Sequence, residues 1–330
     1  NLLNESDSVL KSIILNPNEK KFMSIDPHAE KYYSISPYAY CFNNPVNVID
    51  PDGKDSYLLI WFSGNNETGH AGIAIDNYKQ QEIRKERRNA MYYGEVKEAI
   101  FKERPNRFIA YCEVEGSLEK VHVKNTGRCK ELLVPGVKVY LQVHDNPKRK
   151  TKYSLITVQK GDRLVNIDSQ APNTVVEEAL KAGSIKLPNM EMPLINIKRE
   201  KTYGNSRFDF YMQSQNEEAY MEIKGATLEE EDYVKFPDAK TERGTKHVEE
   251  LIKAVEEGYK AYILFVIQME NIRYFTPHVA RDPKFAKVLY EASQKGVTIL
   301  AYECKVTENT LHITKEVPVY IPNPELGRGV

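Results

Sequence analysis

The chain has 330 residues, of which 41% are hydrophobic and 28% charged, a composition that supports a sizeable core and excludes wholesale disorder. Its length suits two or three domains. Lys+Arg 46 against Asp+Glu 47 leaves a net charge of −1, which excludes a uniformly basic nucleic-acid coat but not a local basic face.

The first 90 residues are rich in turns. Asp26-Pro27, Ser36-Pro37, Asn43-Asn44-Pro45 and Asp50-Pro51-Asp52-Gly53 punctuate short strands and leave little room for a helix. A short apolar strand at 57–62 and the stretch Gly69-His70-Ala71-Gly72 follow. The polar run 80–88 then reads as a solvated linker or helix. The chain begins at Asn1 rather than at a methionine, as the tail of something longer would.

From Met91 the pattern becomes regular. Residues 96–102, 107–114, 119–123, 137–143, 154–159 and 164–167 read as strands, with a short helical piece at 127–133 between the third and fourth. A strand-rich unit of this size with one helix after its third strand points to an all-β OB-type barrel, since closure removes exposed sheet edges. Residues 91–160 hold fourteen Lys/Arg and eight Asp/Glu, net +6, so the neutral total conceals a basic segment. Asn146-Pro147 leads into the basic turn Lys148-Arg149-Lys150-Thr151-Lys152, and Arg104, Arg107, Lys124, Arg128 and Lys130 add to it. Lys124, Arg128, Arg149 and Lys150 are the phosphate-contact candidates. Phe108, Tyr111 and Tyr140 are aromatic enough to stack bases, but each reads first as core packing.

After Pro172 the texture turns to mixed α/β. A helix at 175–182, capped by Asn173-Thr174, stops at Gly183. Strands at 207–212 and 219–224, a helix at 241–257, the buried strand 261–267, a helix at 283–295 and a strand at 297–302 complete the pattern. The run 261–267 is the most apolar in the chain and far too short to span a bilayer. Four scattered cysteines with no CxxC pair suit a reducing compartment.

The chemistry gathers in this half. Asp209 and Glu222 on neighbouring strands provide hard oxygen ligands, and Lys224 shares a strand face with Glu222 while Ile223 takes the other. Such a set suits Mg²⁺-assisted phosphodiester hydrolysis, with Lys224 orienting the attacking water. Glu178 or its neighbour Glu177 on the preceding helix adds a further acidic group. Arg243 and His247, spaced i, i+4, share a helix face suited to phosphate contacts.

These residues sit within a broader resemblance. His122-Val123-Lys124-Asn125-Thr126-Gly127, Ser206-Arg207-Phe208-Asp209-Phe210, Glu222-Ile223-Lys224, Phe236-Pro237-Asp238-Ala239, Thr241-Glu242-Arg243-Gly244-Thr245-Lys246-His247 and Gly296-Val297-Thr298-Ile299-Leu300-Ala301-Tyr302 occur in order. From about residue 91 to 321 the chain resembles the sugar fermentation stimulation protein A (SfsA) family. The resemblance implies an OB-fold domain at 91–170, an α/β PD-(D/E)XK nuclease-like domain at 171–330, DNA binding and a nuclease role. By position it makes Asp209 and Glu222 the metal ligands. Asp209, Glu222, Lys224 and Glu178 become the catalytic set, with Mg²⁺ as cofactor and Mn²⁺ as a substitute. Phe208 stands where the family spelling has proline before the aspartate.

A second resemblance lies upstream. Asp26-Pro27-His28 through Tyr38-Ala39-Tyr40-Cys41, with Asn43-Asn44-Pro45 and Asp50-Pro51-Asp52-Gly53, is similar to the end of an RHS repeat-associated core. It implies a core-like remnant over 1–56 and a short strand segment with a charged linker over 57–90. The reading at this point is a cytoplasmic DNA-binding protein with Mg²⁺-dependent nuclease activity. RNA is the alternative substrate, no membrane is involved, and a homodimer is compatible with the sequence but not argued from it. The family resemblance adds to this reading a link to the regulation of sugar metabolism. Two rivals stand beside it: a catalytically inactive DNA-binding regulator, and an RHS-type toxin with a nuclease tip.

Overall fold

The period-two alternation that starts at Met91 closes into a barrel. The computed structural model describes residues 90–323 except 126 and 205, and of the earlier residues only six short strands. The chain divides into units at 1–86 and 87–330. In the first, Leu2–Leu3 pairs with Val9–Leu10, Leu15–Asn16 with Lys21–Phe22, and Tyr57–Ile60 with Ala71–Ala74, all antiparallel. The strand expected at 57–62 is the first arm of that last hairpin. The residues carrying the RHS resemblance, 26–53, lie outside those described.

In the second unit, β1 (Met91–Tyr92) precedes the barrel strands β2 (Val96–Asn106), β3 (Ile109–Val114), β4 (Ser117–Val123), β5 (Lys138–Val143), β6 (Tyr153–Lys160) and β7 (Arg163–Asn166). Their order is β4-β3-β2-β5-β6-β7, and a parallel β4–β6 pair, with Val121 opposite Tyr153 and Val123 opposite Leu155, closes the OB-fold barrel. Ala110, Cys112 and Val114 alternate inward on β3 and meet Val121, Val139, Leu141 and Leu155. The helix expected at 127–133 is absent. Arg104 pins this segment: its guanidinium donates to the carbonyls of Asn125, Gly127 and Arg128 at 2.6–2.8 Å, of which a helix over 127–133 would use the last two. Arg104 is therefore a loop clamp rather than part of a phosphate-binding face.

The α/β domain comprises α1 (Ala171–Ala182), β8 (Asn196–Tyr203), β9 (Ser206–Gln213), β10 (Glu218–Ala226), β11 (Leu228–Glu230), β12 (Tyr233–Phe236), α2 (Glu242–Glu256), β13 (Lys260–Ile267), β14 (Tyr274–Pro277), α3 (Pro283–Gln294), β15 (Thr298–Val306) and β16 (Thr310–Glu316). The main sheet runs β8-β9-β10-β13-β15-β16-β1, parallel across β10, β13 and β15 and antiparallel outside them. β11, β12 and β14 form a small second sheet. This is the PD-(D/E)XK-like architecture. Along β13, Ala261, Ile263, Phe265 and Ile267 pack on the α2/α3 side, while Tyr262, Leu264 and Val266 pack on the α1 side. Burial on both faces is why that run is apolar throughout. On α2, Val248, Leu251, Ile252 and Val255 recur at helical spacing and meet the sheet. Thr241 caps α2 through Gly244 N–H, and Asp282 caps α3 through Phe285 N–H while also accepting from Thr241 N–H at 2.8 Å. Asp282 thereby ties the two helix starts together.

A buried polar network joins barrel and sheet. Gln268 Nε2 donates to Asn166 Oδ1 at 2.8 Å and to Asp168 O at 3.0 Å, and Asn166 Nδ2 donates to the Tyr93 hydroxyl at 3.0 Å. Such groups repay their desolvation only when all are satisfied, so this network fixes one arrangement of the two domains.

Candidate active site

The ladder between β9 and β10 ends at the pair Phe210–Met221. The next residue on β9, Asp209, turns its carboxylate into the gap, and Oδ2 accepts the Ile223 N–H at 2.7 Å in place of a strand partner. Alternation also breaks here: Phe208 packs on the α2 side of the sheet and Phe210 on the α1 side. Asp209 Oδ1 accepts from Asn173 Nδ2 on α1 at 2.8 Å. Burial first, and then the negative charge of Glu222, push the Asp209 carboxyl above the ordinary aspartate value.

Glu222 lies on β10 with Ile223 packed on the opposite, α1-facing side. Its Oε1 is held by the Lys224 ammonium and by His247 Nδ1. Burial raises its pKa, but the His247 hydrogen bond and the Lys224 charge outweigh that, so the carboxyl lies below the usual glutamate value. Its other oxygen, Oε2, is buried without a hydrogen-bond partner.

The structure thus gathers Asp209, Glu222, Lys224, His247 and Arg243. Arg243 Nε donates to His247 Nε2 at 3.5 Å. His247 is only 6% exposed and engaged by Glu222, so it braces a carboxylate rather than meeting phosphate directly, as the i, i+4 spacing had suggested.

Glu178 goes elsewhere. It accepts from the Met91 backbone N–H, and burial and the Glu177 charge raise its pKa. Five residues on from Asn173 it lies roughly 140° round α1, on another side of the helix. Glu177 is taken by Lys181 and Arg199. The α1 residue that reaches Asp209 is Asn173, which the sequence offered as a helix cap. The helix starts instead at Ala171, with Pro172 in its first turn, and this places Asn173 inside the helix.

The barrel candidates also separate. Lys124 pairs with buried Asp168 at 3.3 Å and lies over the Tyr93 ring, at the joint between domains. Arg149 Nη2 donates to Ser154 Oγ at 3.1 Å, and Lys150 is exposed on the same turn. Arg128 is exposed beside Asp238, Lys240, His278 and Arg281. Tyr140 is buried, as its core reading requires, whereas Phe108 is 53% exposed.

Among the described residues, no group of three or more His, Cys, Asp or Glu side chains is arranged to hold a metal ion. The fit to a cation rests on the Asp209–Glu222 pair. Two carboxylates disfavour each other's charge, and the buried Oε2 has a free acceptor lone pair.

Comparison with known proteins gives two adjoining matches. Residues 103–167 match the family described as the SfsA N-terminal OB domain, and residues 170–310 match the sugar fermentation stimulation protein RE domain. Neither reaches the residues that carry the RHS resemblance. A sugar fermentation stimulation protein homolog of Ruminiclostridium cellulolyticum is 50% identical over 229 residues, 69% of this chain and 99% of that protein. The homolog of Clostridium tetani is 53% identical over 228 residues, 68% and 97% of the two chains. The structure of Pyrococcus furiosus SfsA in complex with Ca²⁺ superposes with a TM-score of 0.64 at 31% identity, covering 70% of this chain and 98% of that one.

Proposed function

The chain belongs to the sugar fermentation stimulation protein family, and from that premise we propose that it is a metal-dependent nuclease acting at Asp209, Glu222 and Lys224. One observation carries the reading: β9 and β10 part beyond Phe210–Met221, Asp209 fills the gap, and beside it Glu222, of opposed pKa shift, is held by a lysine. The donor set is all oxygen, which suits a hard divalent cation such as Mg²⁺, with Mn²⁺ as substitute. The Ca²⁺ in the Pyrococcus protein is a cation of the same hard class. When bound, the cation supplies charge stabilisation at a phosphoryl oxygen and a more acidic water.

The protein's own groups do the rest. Asn173 and Ile223 N–H fix the Asp209 carboxylate, and His247 fixes Glu222. Lys224 is half-buried and one strand period beyond Glu222, where its ammonium can hold a water and accept part of the developing negative charge. DNA is the substrate, with RNA as the alternative, and the barrel holds the strand. Arg149, Lys150 and Arg128 are among its exposed cations. The domains divide at about residue 170, and the location is cytoplasmic. Among the described residues no helix is long and apolar enough to cross a membrane.

The rival reading is a DNA-binding regulator with an inactive pocket. Its support is that Glu222 is already engaged by two cationic or donor groups and that no three-ligand cluster stands ready among the described residues. Purified protein incubated with single-stranded DNA, duplex DNA and RNA in Mg²⁺, Mn²⁺ or EDTA decides between the two. Metal-dependent cleavage that is lost in Lys224→Ala and Asp209→Asn supports the nuclease. Cleavage by those variants at the parent rate removes this site from consideration.

A further inference from the structure

The geometry points to a backbone-phosphate site in the cleft between barrel and α/β domain, formed by Arg128, Lys240 and Arg281, that anchors a single nucleic-acid strand beside the carboxylate pair. The cleft is lined by Arg128 from the barrel and by Asp238, Ala239, Lys240, His278, Ala280 and Arg281 from the α/β domain. Three cationic side chains thus line the cleft beside a single carboxylate, an excess of two positive charges. None of the three side chains forms an ion pair among the described residues, although they are exposed and surrounded by a chain that is 28% charged. Unpaired cations gathered from two domains are held together against their mutual repulsion, and an anion offsets that cost.

Both walls are fixed. Arg104 grips the carbonyls on either side of the Arg128 turn, so Arg128 leaves a rigid loop. Gly127 lets the second wall come close: a Cβ there would stand 2.8 Å from Asp238 Oδ2, which lies against the loop. Lys240 and Arg281 each immediately precede a residue of the tie between the two helix starts, Thr241 and Asp282. His278 also lines the cleft. Burial and then the charges of Lys235 and Arg281 lower its pKa, leaving it neutral near pH 7 and able to donate or accept.

The position suits a polymer rather than a lone anion. Lys240 stands just before the N-cap Thr241, the helix rises about 9 Å from that cap to His247, and Arg243 lies between them. A strand seated in the cleft would therefore meet Lys240, then Arg243, then the Glu222 carboxylate region. The identity of the anion rests on the nuclease reading above, whereas the anion site itself does not.

The test is fluorescence anisotropy of a labelled oligothymidylate with the full chain in EDTA, where cleavage does not contribute. Arg128→Ala/Lys240→Ala/Arg281→Ala is compared with the parent and with Lys181→Ala/Lys198→Ala/Lys305→Ala, which removes equal charge from other exposed positions. The cleft variant should bind at least about tenfold more weakly. Its log–log salt slope should fall by about 2, since each phosphate neutralised on a single strand contributes about 0.7. Binding equal to that of the parent or of the control variant overturns the site. A parent that binds through the cleft yet never cleaves with metal upholds the cleft and removes only the nuclease reading. A cleaving parent with an unaffected cleft variant removes only the cleft.

Discussion

His247 on α2 donates a hydrogen bond from Nδ1 to Glu222 on β10, bridging a helix and a strand that lie 25 residues apart in the chain. The tautomer follows from its other contact. Arg243 Nε can only donate, so His247 Nε2 accepts and the ring proton sits on Nδ1. Removing that donor frees Glu222 to rotate toward Lys224 alone. Groups that orient a ligand in this way typically change metal affinity or activity by about 10–100-fold. We expect His247→Ala to shift the Mg²⁺ midpoint for cleavage upward within that range. His247→Asn, whose Nδ2 can reproduce the Nδ1 donor, should recover most of the loss. Equal midpoints for parent and His247→Ala would show that the bond is structural only.

Asn173 holds Asp209 in the same sense. Its amide donor works against the burial and the Glu222 repulsion that raise the Asp209 pKa. Asn173→Ala therefore pushes that pKa further up, and more of the carboxyl is protonated at a given pH. The acid limb of the cleavage rate should move to higher pH while the alkaline limb stays in place. A pH–rate profile of parent and variant at saturating Mg²⁺ checks this, and an unmoved acid limb counts against Asp209 as the titrating group.

The legibility of the fold differed between its parts for identifiable reasons. The central strand β13 was plain in the sequence because burial on both faces makes it apolar throughout. β8 gave no such signal: it is an edge strand of mostly exposed Lys, Arg and Glu residues, which lack apolar alternation. The loop after β4 looked helical by local preference, and a distant guanidinium overrode it. In the site, Asp209, Glu222 and Lys224 were readable because they lie close in sequence on adjacent strands. Asn173 was not, because a residue in the first turn of a helix looks the same whether it caps or reaches across to a strand. Glu178 was misplaced because sequence shows which residues are on α1 but not which side of it meets β9.

Gly225, directly after Lys224, marks a close approach that a side chain would spoil. A Cβ there would lie 2.7 Å from Gln268 Oε1 and 3.0 Å from Pro172 Cγ. Gln268 cannot yield freely, since it is 2% exposed and its Nε2 bonds to Asn166 and Asp168. Gly225→Ala should cost about 1–3 kcal/mol, the usual range for overpacking. Thermal unfolding should register this as a fall in Tm of several degrees, and an unchanged Tm would mean the α1 start relaxes around the methyl.

Glu229 gives the joint between barrel and α/β domain an acid-sensitive bond. It is buried on β11, held by the Lys160 ammonium and by Arg163 at 3.4 Å, and it accepts the Asp232 N–H at 2.8 Å. Burial alone would raise its pKa, but these partners outweigh it and hold the carboxyl below its ordinary 4.5. For a carboxyl depressed on folding, the stabilisation is full above the unfolded value and is lost as pH falls through the folded one. Glu229→Gln should therefore lower stability by about 2 kcal/mol at neutral pH, the scale of a hydrogen bond to a charged group. As pH falls below 4.5 and through the depressed folded value, the difference should shrink and then vanish, because the parent carboxyl becomes protonated too. Urea unfolding of both proteins across that window measures it. A gap that persists undiminished in acid would assign the loss to packing rather than to charge.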